Sequence, residues 1–82
     1  MTAIADWLTG WFAARAPDIA LTRDDNFFER QAIDSLGVIE LIEDIEKQFA
    51  IRFTDRNFQD RRFSTIGGLT DIITEIKADV GR

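Results

Sequence analysis

The chain has 82 residues, 45% of them hydrophobic, with seven Phe and two Trp, which is enough for one modest core in a single domain over residues 1–82. Its net charge of −5 argues against general nucleic-acid binding, which needs a basic footprint, and favours partners with basic patches. Cysteine and histidine are both absent, which removes disulfides, thiol nucleophiles, cysteine zinc sites and imidazole bases or ligands together.

The first pattern is Ile4, Trp7, Leu8, Trp11 and Phe12, at the i, i+3, i+4, i+7, i+8 spacing of an amphipathic helix. Thr2 is placed to cap it, and Pro17 ends it by disfavouring helical geometry at Ala16. The stripe reads as core-facing. The alternative is that the two tryptophans line a ligand pocket. Residues 1–16 lack the basic leader and continuous apolar run of a signal peptide, and no run approaches the roughly 20 residues of a membrane span. A cytoplasmic monomer is the expectation.

Residues 17–34 form a connector long enough to suggest a role of its own. Ile19, Leu21, Phe27, Phe28 and Ile33 are expected to pin it to the bundle. The cluster Asp24-Asp25-Asn26 is followed by Phe27-Phe28, where a calcium loop needs further ligands and a glycine, so an EF-hand is rejected. Turn chemistry fits instead, with Thr22, Asp24 or Asp25 bonding nearby backbone.

A second helix is predicted from about Ser35 to Phe49. At about 100° per residue, Val38, Leu41, Ile42, Ile45 and Phe49 gather on a core face. Leu36, Glu40, Glu43, Asp44 and Lys47 gather opposite, with Ile39 at the border. Ile51-Arg52-Phe53 is too short for a strand, and Thr54 or Asp55 then caps a brief third helix near Arg56–Asp60. The last helix begins near Ser64 or Thr65, carries Ile66, Leu69, Ile72, Ile73, Ile76 and Val80, and stops at Gly81. Gly67 and Gly68 in its first turn are suited to close approach of a neighbouring helix. The fold class is an all-α, four-helix bundle with a short third helix and a long connector between helices 1 and 2.

The chemistry concentrates at Asp34-Ser35-Leu36. Either polar residue is a good helix N-cap, and Asp34 also suits the positive end of the helix dipole. One helix start does not need two caps, so one of them is free for another task. A phosphate ester on a hydroxyl here would meet the N–H groups of the first turn. Leu36 beside it, on an otherwise charged face, has the character of an apolar docking anchor.

The runs Asp25-Asn26-Phe27-Phe28-Glu29-Arg30 and Ala32-Ile33-Asp34-Ser35-Leu36-Gly37-Val38-Ile39-Glu40-Leu41 resemble the acyl carrier, or phosphopantetheine-binding carrier, superfamily. The resemblance continues through Glu46-Lys47-Gln48-Phe49, Phe58 and Phe63-Ser64-Thr65-Ile66. It implies that Ser35 receives 4′-phosphopantetheine from coenzyme A through a phosphopantetheinyl transferase, with Asp34 helping that enzyme orient its metal and substrate. It implies a thioester-linked acyl or aminoacyl cargo, loaded by a ligase and passed to a synthase or transferase. It also implies a partner face of Leu36, Ile39, Glu40, Glu43 and Asp44.

The chain departs from the carriers of fatty acid synthesis at several points. Ala32 stands where glycine is usual and Gly37 where an acidic residue is usual. Lys47 interrupts the acidic face, and arginines replace an acid-rich third helix. A specialised lipid, polyketide or aminoacyl pathway is therefore expected over housekeeping fatty acid biosynthesis. The chain is not expected to be an enzyme, since no serine has a histidine to activate it. The alternatives are an unmodified helical adaptor that binds a basic partner through the acidic second helix, and a degenerate carrier kept for regulation.

Overall fold

The computed structural model describes residues 3–80, so the caps expected at Thr2 and Gly81 lie outside the described residues. The described residues form four helices: α1 (Ala3–Arg15), α2 (Ser35–Phe49), α3 (Asp55–Phe58) and α4 (Ile66–Val80). Among the described residues there is no strand, only an isolated bridge between Asn26 and Thr65.

Helical spacing puts the large apolar residues where the core needs them. Leu8 and Phe12 of α1, Leu41 and Ile45 of α2, and Leu69 and Ile73 of α4 are all fully or nearly fully buried. α1 packs against α4. It meets the C-terminal end of α2 through an edge-on pair of Trp7 and Phe49, centroids 5.4 Å apart. Edge-to-face geometry sets a positive ring rim against a negative ring face. The helix closes with the Ala16 N–H donating to the Phe12 carbonyl, just before Pro17.

The connector is held by its backbone and by one ring. Phe27 is fully buried and stacks on Phe12 at 4.9 Å. Its N–H donates to Ser64 O, and the N–H of Gly67 donates to Arg23 O, so the connector is tied to the start of α4. Asp25 Oδ2 accepts from the Thr22 N–H, a bond that holds the Asp25 carboxyl below the usual carboxylate range. Asn26 Oδ1 accepts from the N–H groups of Phe28 and Glu29. The acidic cluster thus makes turns. Ile19, Leu21 and Ile33 are half-buried against the core as expected, but Phe28 is 42% exposed. The turn that drives Phe27 inward points its neighbour out.

The segment after α2 bends sharply, with Ala50 in the left-handed region at φ 55° as the C-cap. Ile51 and Phe53 are buried without forming a strand, and Glu46 accepts from the Phe53 N–H at 2.9 Å. Thr54 is the N-cap of α3, where Asn57 Oδ1 accepts from the Thr54 N–H and hydroxyl. Thr65 starts α4, its Oγ1 accepting from the Gly68 N–H at 2.9 Å.

The two glycines of α4 do admit a close approach, but of loops rather than a neighbouring helix. A Cβ on Gly68 would overlap the carbonyl oxygen of Arg62, and one on Gly67 would sit 2.8 Å from the Arg23 side chain. Arg62 is held there by its side chain, which donates to Asp60 and to both oxygens of Glu75, at 2.5 and 3.0 Å for the latter. The α3–α4 loop is therefore clasped to the middle of α4.

Candidate functional site

The start of α2 resolves which polar residue is the cap. Asp34 has extended backbone geometry, φ −114° and ψ −175°, and its Oδ1 accepts from the Gly37 N–H at 2.7 Å. Ser35 is the first helical residue, is exposed, and its hydroxyl makes no hydrogen bond among the described residues. Capping therefore falls to Asp34, and Ser35 is the hydroxyl left free.

Gly37 helps make that geometry. A Cβ there would stand 2.8 Å from Ile33 Cγ1 and 3.2 Å from Asp34 Oδ1. A side chain at 37 would crowd the capping carboxylate, and an acidic one would also repel it. The glycine allows Asp34 to fold over the first turn. Leu36 then projects into solvent at 73% exposure, and Ile39 at 54%.

The acidic side of α2 is less uniform than its pattern suggests. Glu40 and Glu43 are exposed, but Asp44 is drawn against α1. The Trp11 indole Nε1 donates to Asp44 Oδ2 at 2.9 Å, and Arg15 Nη2 donates to the same oxygen at 3.4 Å. Arg15 Nε also reaches Glu40 Oε2 at 3.4 Å, and its guanidinium lies 4.0 Å above the Trp11 ring. The expectation that Asp44 stands with Glu43 on one outward face needs this change: eight residues on from Leu36 is about 80° around the helix, on the side that α1 approaches. Trp11 lines the groove beside this helix, as the alternative reading of the tryptophans expects, whereas nothing in the sequence pattern points to Arg15 as part of the site. The i, i+4 spacing that stacks them was visible, but their acceptor is 33 residues away from Trp11.

Two grooves flank this helix. One has a volume of about 660 Å³ and runs between the end of α1, the end of the connector and the first turns of α2. Trp11, Arg15, Phe28, Gln31, Leu36 and Glu40 are among its walls, with Asp34 and Gly37 at the cap. The other, about 310 Å³, is lined by Phe28, Val38, Ile42, Phe58 and Phe63, between α2 and α3. Phe28, expected to pin the connector to the bundle, belongs to both. Beyond the second groove, Arg52, Arg56 and Arg61 are exposed and form no ion pair among the described residues. Arg62 is taken up by Asp60 and Glu75.

A family model described as a phosphopantetheine attachment site matches residues 12–73. The chain belongs to this phosphopantetheine-binding carrier family. It is similar to D-alanyl carrier proteins of Streptococcus sanguinis, Streptococcus gordonii and Streptococcus thermophilus. Each is 28% identical over 60 residues, which span 73% of this chain and 76% of the relative. No solved structure matches the chain significantly.

The covalent cofactor of the carrier is 4′-phosphopantetheine, and its role is to carry rather than to catalyse. The residues present fit such a group: an exposed, unbonded hydroxyl on the first turn of a helix, separately capped, beside an open groove. Carriers of this family work with a transferase that attaches the group and with ligases or synthases that use it. Among the described residues, no helix is long and apolar enough to cross a membrane.

Proposed function

We propose that Ser35 is the attachment point and that residues 1–82 act as one carrier domain for an acyl or aminoacyl group. In the attachment step, a bond forms between Ser35 Oγ and the phosphorus of coenzyme A that bears the pantetheine. The bond from that phosphorus to the adenosine bisphosphate breaks, and the hydroxyl proton passes to a base of the transferase. The group supplies a thiol on a flexible arm, which holds cargo as a thioester. This chain's residues present it: Asp34 caps the first turn and leaves the exposed Ser35 hydroxyl free to be modified, and Leu36, Ile39, Glu40 and Glu43 offer apolar contact and negative charge to a partner. In this reading Asp34, the residue before Ser35, also helps a transferase place its metal.

The observation that carries this reading is the division of labour between Asp34 and Ser35, inside the span matched by the family. The test is intact mass after incubation with coenzyme A and a broad-specificity transferase. A mass gain that Ser35→Ala abolishes supports the reading, and an unchanged wild-type mass overturns it in favour of an unmodified adaptor.

For the cargo, the relatives' names favour a small aminoacyl group over the chains of fatty acid biosynthesis. The exposed Arg52, Arg56 and Arg61 also favour a dedicated ligase or synthase whose surface near α3 is acidic. Ejecting the arm from protein isolated from its native cells and weighing the load tests both the cargo class and whether any cargo is carried. We take the carrier to be a cytoplasmic monomer, where coenzyme A and activating ligases meet it; fractionation and light scattering check this.

A further inference from the structure

The two grooves beside Ser35 differ in chemistry, and so do the parts of a phosphopantetheine arm. Beyond its phosphodiester the arm has a geminal dimethyl group, two secondary amides and a thiol. Amides that leave water need hydrogen-bond partners. The groove toward α3 is lined by apolar side chains alone. The groove toward α1 combines apolar walls, Phe28 and Leu36, with donors on Arg15, acceptors on Glu40 and both on Gln31. Its volume of about 660 Å³ is in the range of small-ligand sites, roughly 300–1,000 Å³. It also begins at Asp34 and Leu36, the two neighbours of Ser35.

Arg15 keeps capacity for a further partner. Its bonds to Glu40 and Asp44 are both 3.4 Å, against about 2.7–2.9 Å for a well-formed charge-assisted bond. Its Nη1 donates to nothing among the described residues. The guanidinium is nevertheless held in place by its stack on Trp11. A positioned cation with spare N–H groups suits amide carbonyls.

We propose that the arm on Ser35 rests in the α1-side groove, along the Arg15–Trp11 stack, and not in the apolar groove between α2 and α3. The inference rests on the attachment at Ser35 and adds the arm's resting place. Docked there, the arm lies beside Leu36 and Glu40, so a partner that engages those residues displaces it.

The two tryptophans provide the test. Trp11 lines the groove, whereas Trp7 packs on Phe49 outside it. A ¹⁵N-labelled sample therefore gives two indole N–H resonances, assigned with Trp7→Phe. Wild-type protein is compared before and after modification with coenzyme A, with intact mass recorded on both samples. The expected result is a shift of the Trp11 indole resonance with Trp7 unmoved, and nuclear Overhauser contacts from the geminal methyls to Trp11 and Arg15. Arg15→Ala should shrink the difference between the two states. Full modification with an unmoved Trp11 indole, or with methyl contacts to Val38 and Ile42 instead, overturns the resting place and leaves the attachment standing. An unchanged mass overturns the attachment and the resting place together.

Discussion

The two sides of α2 reach solvent in opposite ways. Toward α1, a tryptophan, an arginine and two carboxylates bond to one another through hydrogen bonds and ion pairs along the wall of a groove that mixes polar and apolar side chains. Toward α3, five apolar side chains leave a groove with no polar side chain, and Phe28 and Phe58 remain 42% and 45% exposed. The contrast separates charges bonded within the fold from those left exposed for the partner face proposed above. Asp44 is bonded within the fold, Glu40 is exposed but pairs with Arg15, and Glu43 is exposed with no ion pair among the described residues, as the proposed partner face requires.

The largest effect on this contrast comes from beneath both grooves. Leu41 and Ile45 are fully buried, so Leu41→Ala or Ile45→Ala should cost about 2–5 kcal/mol. Against a total of roughly 5–15 kcal/mol for a typical domain, that approaches the limit for so small a core. Urea denaturation should show a much lower midpoint, and both grooves should be lost together. A midpoint unchanged from wild type would refute the packing.

Gly68→Ala should act on one side only. The added Cβ overlaps the Arg62 carbonyl, so the clasped loop and α3 must move. A cost of about 1–3 kcal/mol is expected for forced overpacking. Resonances of Phe58 and Phe63 should shift while the Trp11 indole stays, which would show that the two sides are mechanically independent.

The next comparison is between neighbours. Asp34→Ala removes the cap and should cost about 0.5–2 kcal/mol, whereas Ser35→Ala should stay within about 0.5 kcal/mol of wild type while losing all modification. Equal destabilisation by the two substitutions, read from thermal melts, would show that the serine also caps. A smaller effect belongs to the clasp. Bonds from Arg62 hold Asp60 and Glu75 below the usual carboxylate range. Their folded pKa values are lowered, so the stabilisation is present above the ordinary carboxylate value of about 4 and fades as pH falls through the lower folded values. Exposure and screening keep it small. Arg62→Gln should flatten that acid limb of stability against pH.

Much of this could be read from spacing alone. Leu8, Phe12, Leu41, Ile45, Leu69 and Ile73 follow a helical period, and each is buried. Pro17, Asp34 and Thr65 mark boundaries through local chemistry that acts within a few residues. What spacing did not reveal lies where no period exists or where partners are distant. The connector has no repeat to orient Phe28, and nothing in its spacing separates it from its buried neighbour Phe27. The partners of Gly67 and Gly68 are loop residues, Arg23 and Arg62, brought in by turns. The Trp11–Asp44 bond joins residues 33 apart, and no pattern on α2 distinguishes a carboxylate that faces α1 from one that faces a partner.

That last ambiguity is open to the finest test. Glu43 is exposed and enters no ion pair among the described residues, whereas Glu40 shares Arg15 with Asp44. Glu43→Lys should therefore slow association with a broad-specificity transferase by a few-fold at low salt, through loss of long-range attraction. Glu40→Lys removes the same charge but also places a cation beside Arg15, so it should slow association and shift the Trp11 indole resonance even without modification. In 1 M salt, where screening acts within about 3 Å, the rate difference for Glu43→Lys should vanish while the indole shift of Glu40→Lys persists. Wild-type rates for both variants at low salt would remove α2's carboxylates from partner recognition and leave Leu36 and Ile39 as its contact.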